Sequence, residues 1–233
     1  MPKPQTPSGK RRSEKERAWQ RARQPHQKAE RREAILAAAT ELLDEAGIDG
    51  ATLSAITRRA GLSKGNLYRY FESREAVLMA LTLGEVERWS RALVERLEPI
   101  ADPGDVEAVA DVFSRTTAAN PRLCVLFSAL TSVLERNVSA EAVIAFKRTI
   151  PRLLLAPSTA VRDALPGLSA SQARSFVLYF ALFVAGTWPA ANPEPAVAKL
   201  LSRKGFESLR VDFERTNYEH ARALLDGLLA RRR

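Results

Sequence analysis

An all-α fold is predicted by three observations. Apolar residues recur every three to four positions along most of the chain, the breaks between those runs fall at Gly, Pro, Asn and Ser, and no stretch of useful length alternates as a strand would. The predicted architecture is an N-terminal three-helix unit joined by a long helix to a larger helical body. Boundaries are expected at 1–27 for a polar arm, 28–82 for the three-helix unit and 83–233 for the body. At 45% apolar and 27% charged residues, the chain has ordinary material for a soluble core.

The arm opens with Pro, Ser and Gly and stays polar, which predicts mostly disordered chain with a helical turn or two around Glu14 to Arg23. Helix 1 follows from Ile35, Ala38, Ala39, Leu42, Leu43 and Ala46 on one face, with Gly47 placed to end it. Thr52 caps a short second helix whose inward residues are Leu53, Ile56 and Ala60, and Gly61 stops it. Ser63 caps a third, Lys64 to about Phe71. Ser73 caps a much longer one, with Val77, Leu78, Leu81, Val86, Trp89, Leu93 and Leu97 in a stripe up to Pro99. At 1.5 Å per residue that rod spans roughly 35 to 40 Å.

Further helices are expected at about Val106 to Asn120, Pro121 to Glu135, Ala140 to Leu155 and Pro157 to Leu165. "SASQ" (Ser169 to Gln172) is a capping box ahead of an apolar run to Trp188, "PAANPEPAV" (Pro189 to Val197) breaks the chain, and a last helix runs from about Phe206 to Leu229. The two long helices Ser171–Thr187 and Phe206–Leu229 suit a four-helix bundle made with a second copy, or packing inside one subunit.

Charge narrows the choice of partner. Residues 1–32 hold eleven Lys/Arg against three Glu, residues 33–79 five against seven, and residues 80–230 seventeen of each, so the positive excess of the +9 chain sits in the arm and in Arg231 to Arg233, around a nearly neutral body. A basic arm contacts phosphates or is simply a solvated end. No apolar h-region marks the first 32 residues, and the most apolar stretch, "FVLYFALFVAGTW", has 13 residues, short of the roughly 18 to 20 a membrane span needs. With the single Cys124, these features predict a cytoplasmic protein outside the membrane.

"LSKGNLYRYF" carries the chemistry. Leu67 and Phe71, four apart, turn inward, so the polar side chains between them point outward. Two short helices joined by "GLS", the second rich in donors, form a helix-turn-helix whose second member enters a DNA major groove. Lys64 reaches guanine O6/N7 or a phosphate, Asn66 reads a base or binds the backbone, and Gly65 lets the helix come close. Tyr68, Arg69 and Tyr70 are placed for flanking phosphates, with Thr52, Ser63, Ser73 and Arg74 at helix starts. Tyr70 could equally cover the edge of the core, and Arg69 and Arg74 could pair with Glu72 or Glu75.

The segment "ATLSAITRRAGLSKGNLYRYFESREAVLMAL" closely resembles the N-terminal DNA-binding domain of the TetR family of transcriptional regulators, over about residues 30 to 82. The resemblance implies a homodimer on double-stranded operator DNA, a body that binds a small effector, and a dimer made by the helix pair near the C-terminus. It also places Ser63, Lys64, Gly65, Asn66, Tyr68, Arg69 and Arg74 at positions that touch operator DNA. The basic arm departs from the usual family pattern.

A dimer reading a palindrome must set its two reading helices about 34 to 36 Å apart or at a near multiple, and an effector favouring another splay releases it. The expected function is therefore repression relieved by a small apolar effector. The alternative is an effector-independent regulator or an activator working through protein partners. Candidate pocket residues are Trp89, Phe113, Phe127, Phe146, Phe180 and Trp188, each of which is also ordinary core material. An enzyme is not expected: His26 and His220 lie far apart in sequence, and there is no cofactor loop, metal-ligand spacing or G-x-S-x-G.

Overall fold

The computed structural model describes residues 8–231, with side chains from residue 27 onward except at 131 and 132. Among these residues every regular element is helical. The helix α1 (Ser8–Gly50) bends at Ala46 and Gly47, where Gly47 takes φ +65° and so accepts the left-handed turn that a side chain disfavours. Helical backbone thus reaches back to Ser8, where the sequence predicts mostly disorder to residue 27; residues 1–7 of that arm lie outside the described residues.

The next helices are α2 (Leu53–Arg59) and α3 (Lys64–Leu67), and the chain between them turns at Gly61 with φ +65°. The third helix is regular for one turn only. Hydrogen-bonded turns carry it on until the Phe71 N–H reaches the Leu67 carbonyl at 3.1 Å. The rod is α4 (Arg74–Leu97). Thr52, Ser63 and Ser73 each cap as expected, their hydroxyl oxygens accepting from the N–H groups of Ala55, Asn66 and Ala76 at 3.2, 3.3 and 3.1 Å.

The body contains α5 (Val106–Ala118), α6 (Pro121–Ala129), α7 (Ala140–Leu153), α8 (Leu155–Ala164), α9 (Ala170–Ala191), α10 (Pro195–Leu201) and α11 (Phe213–Ala230). A π-helical turn, Leu130–Leu134, follows α6 where the sequence predicts continuous α-helix to Glu135. Two further boundaries move. Pro189 does not stop α9, which runs on to Ala191, where Asn192 donates its backbone N–H and its Nδ2 to the Trp188 carbonyl at 2.9 and 3.1 Å. The last helix starts at Phe213 rather than Phe206, because Asp212 caps it by accepting from the Arg215 N–H at 3.1 Å; Leu209 belongs to a separate 3₁₀ turn and is exposed.

Two apolar cores result. One lies among α4, α5, α6, α8, α9 and α11 and is centred on Trp89, Phe113, Phe176 and Phe180. The other lies under α1, α2 and α3 and also takes in Leu126, Ala129, Leu134 and Phe146 from the body. The three-helix unit, the head, therefore sits on the body through shared apolar packing.

Candidate nucleic-acid interface

Leu67 and Phe71, 0% and 5% exposed, anchor the reading segment in the head's core. Between and beside them, Lys64, Gly65, Asn66, Tyr68 and Arg69 are all exposed. Tyr68 leaves 54% of its surface in solvent, an uncommon position for an aromatic of that size. A Cβ built at Gly65 would meet nothing within 4 Å, and Gly65 is absent from the glycines with positive φ. Neither packing nor backbone conformation requires a glycine there.

Lys64 and Arg69 form no ion pair among the described residues, so both charges are available to an outside anion. Thr52 and Ser63 use their oxygens as helix caps and retain their own hydroxyl hydrogens for donation. Tyr70 is half-buried against the head's core. It also lines a shallow cleft of about 320 Å³ with Gln27, Lys28, Arg31 and Arg69. Lys28 and Arg31 are additions to the sequence-derived candidates, although their three-residue spacing on one helix face is a signal for a joint cationic surface.

Arg74 is placed differently from the sequence expectation of a DNA contact. Its Nε donates to the Ala51 carbonyl at 2.8 Å and its Nη2 to the Ile48 carbonyl, so it clamps the end of α1 to the start of the rod. Arg59 does similar work between α2 and α1, holding Glu45 at 2.7 Å and Glu41 at 3.1 Å, and its hydrogen bonds keep the Glu45 carboxyl below the usual carboxylate range.

The aromatic set expected to line an effector pocket is also redistributed. Trp89, Phe113 and Phe180 are at most 1% exposed. Phe113 meets Trp89 edge-on at 6.0 Å and Phe180 at 5.2 Å, Phe127 stands edge-on to Trp89 at 6.5 Å, and Trp89 Nε1 donates to Thr117 Oγ1 at 3.0 Å. Phe146 belongs to the head's core, and Trp188 packs edge-on against Phe213 at 5.0 Å. These rings fill one another's space and are not brought together around a single cavity. A cleft of about 680 Å³ opens elsewhere, between the end of α4 and α8, lined by Val94, Leu97, Ile100, Leu155 and Ala160, with Glu98, Arg152 and Asp163 also on its wall. No aromatic residue lines it.

Comparison with known proteins bears on what this head and body are. Residues 35–81 match the model of bacterial regulatory proteins of the tetR family, and residues 83–232 match that of the tetracyclin repressor-like C-terminal domain. The chain belongs to the TetR family of transcriptional regulators. This TetR-family chain is 31% identical over 111 residues to the uncharacterized HTH-type transcriptional regulator Rv1255c of Mycobacterium tuberculosis, covering 47% of this chain and 54% of that one. It is 41% identical over 66 residues to the HTH-type transcriptional regulator UidR of Escherichia coli, covering 28% and 32%. The matched stretches thus span about a third to a half of these relatives' own lengths. Its fold matches that of Thermus thermophilus FadR, a TetR-family transcriptional repressor in complex with lauroyl-CoA, at TM-score 0.55 and 18% identity, covering 87% of this chain and 97% of that one. As a TetR-family regulator the chain is a DNA-binding helix-turn-helix protein, and no single helix among its described residues is long and apolar enough to cross a membrane.

Proposed function

We propose that this regulator is a cytoplasmic homodimer that reads a palindromic operator through Lys64, Gly65, Asn66 and Tyr68, with Thr52, Ser63, Arg69 and Tyr70 on flanking phosphates. The observation that carries this reading is the exposed polar face of Lys64, Gly65, Asn66, Tyr68 and Arg69, anchored by the buried Leu67 and Phe71. Lys28 and Arg31 extend the phosphate surface toward the basic arm. Deleting residues 1–27 is expected to flatten the salt dependence of binding, by about one unit of slope for each phosphate that the arm no longer neutralises.

The second copy is placed against α9, where Leu178, Tyr179 and Leu182 stand 44%, 49% and 59% exposed along one side of the helix. Large apolar side chains grouped in this way mark a protein contact surface. Repression is relieved, in this reading, by a small effector with an apolar body seated in the cleft between α4 and α8, whose wall is the far half of the rod that begins at the head. Lauroyl-CoA, the ligand held by the Thermus thermophilus protein, is a reasonable first compound to titrate.

The direct test is enrichment of duplexes from a genomic library, followed by gel-shift of the enriched fragment against wild type and Lys64→Ala/Tyr68→Ala. A drop in affinity of roughly 5- to 150-fold per half-site is expected from the lost base contact alone, at about 1 to 3 kcal/mol, and the lost phosphate contact adds to it. Equal binding by both proteins would remove these residues from the interface.

A further inference from the structure

Arg122, at the start of α6, joins the head, the rod and the body at one point. Its Nε and Nη2 donate to the two carboxylate oxygens of Asp44 on α1, at 2.9 and 2.5 Å. Its Nη1 donates to Glu85 Oε1 on α4, at 2.9 Å. The two acids differ in surroundings: the Glu85 side chain is 3% exposed and that of Asp44 48%.

The difference assigns each contact a task. A carboxylate as deeply covered as Glu85 requires cations beside it, and Arg122 and Arg88 provide them from two helices. Glu85 therefore holds Arg122 in place. The remaining edge of the guanidinium is then presented to Asp44 as a planar two-pronged donor, which fixes direction as well as distance. A cleft of about 440 Å³ opens at the same spot and is lined by Asp44, Glu85 and Arg122 among others, but the Asp44 carboxylate is exposed to solvent while that of Glu85 is almost wholly covered. Water can thus compete for the head side of the contact while the rod side stays covered.

The position of α6 gives the contact leverage. It packs on α9, the helix assigned above to the second copy. It also supplies Leu126 and Ala129 to the head's core, and it runs directly into the π-helical turn whose Leu134 lies in that core. π-helical turns of this kind recur at functional sites. The apolar packing keeps the head seated, while the two-pronged contact restricts how it can pivot on that seat.

We propose that Arg122 is a positioning residue for operator reading: the Asp44–Arg122–Glu85 bridge fixes the angle of the head on the body and so the separation of the two reading helices. The proposal rests on the DNA-reading dimer proposed above. In a dimer, a one-base-pair change at the centre of the site moves one half-site by about 3.4 Å along the axis and also rotates it about the axis, so a fixed head angle appears as intolerance of such changes.

The test uses the full chain and the duplex enriched by the wild type, alongside copies carrying one base pair added or removed at the centre. Wild type is expected to bind the altered duplexes about 100-fold more weakly. Asp44→Ala removes an exposed partner and leaves Glu85 paired, and its penalty on them is expected to stay below about 10-fold. Asp44→Glu is expected to restore the penalty to within about threefold of wild type. Arg122→Leu should behave as Asp44→Ala does; if it does not fold, Asp44→Ala carries the result alone. An unchanged spacing penalty in Asp44→Ala overturns the proposal. A readout independent of DNA separates this failure from failure of the function itself. With spin labels at Ser54→Cys in the head and Thr159→Cys in the body, both exposed in the native structure, the distance distribution within one chain should broaden about twofold in Asp44→Ala. An unchanged width overturns the bridge whether or not any duplex binds.

Discussion

The reading segment and the outer side of α9 both expose aromatic side chains, but their companions differ. Around Tyr68 stand Lys64, Asn66 and Arg69; around Tyr179 stand Leu178 and Leu182. The first set can satisfy anions and base edges and would leave water reluctantly without them. The second gains from leaving water and asks for nothing charged. Exposure alone therefore says little, and the chemistry grouped around each ring is the reason different partners are proposed, a nucleic acid for one and a protein surface for the other.

Four changes test that contrast, from the largest expected effect to the smallest. Leu182→Glu would bury a charge in the contact assigned to the second copy, at several kcal/mol per ion. Sedimentation should therefore change from dimer to monomer with the helical signal intact, and wild type sedimenting as a monomer would refute the covered face. Leu67→Ala removes the anchor beneath the polar display, and denaturant unfolding should show a stability lower by about 2 to 5 kcal/mol. Gly61→Ala places a side chain at φ +65° where open space surrounds the new Cβ. The cost is then conformational alone, about 1 to 2 kcal/mol, and it should appear as a lower melting temperature with the fold retained.

The smallest effect concerns His220, stacked on Phe183 with ring centroids 3.6 Å apart and with Nε2 buried and without a hydrogen-bond partner among the described residues. Burial pushes its pKa below the usual value. Below the ordinary histidine value the unfolded chain binds the proton more readily than the folded one, so stability is highest above about pH 6.5 and declines as the pH falls. His220→Gln should flatten that decline in unfolding curves taken between about pH 5 and pH 8, and an unaltered profile would exclude His220 as its source.

Most of the head is legible in the sequence because its signals are local. Gly47 and Gly61 mark left-handed turns, Thr52, Ser63 and Ser73 mark caps, and Leu67 and Phe71 mark the inward side; each is decided within a few residues. What escapes a sequence reading is decided across long separations. Arg74 clamps carbonyls 23 and 26 residues away and Arg122 grips an acid 78 residues away, and no spacing rule announces either. The aromatic residues of the body cannot be divided into core and pocket from sequence because both roles use the same residue types, and only their mutual packing decides. Boundaries move where a proline near a helix end is tolerated, at Pro189, and where Asp212 outcompetes an earlier start at Phe206.

The unbroken rod α4 has a mechanical implication. Twenty-four residues at 1.5 Å each form a lever about 36 Å long. A swing of only about 5° at its far end carries its tip through about 3 Å, close to the rise between neighbouring bases on one strand. Under the mechanism proposed above, a guest molecule that shifts the far wall of the cleft by about the width of an atom would be enough to carry each reader about one base step out of register.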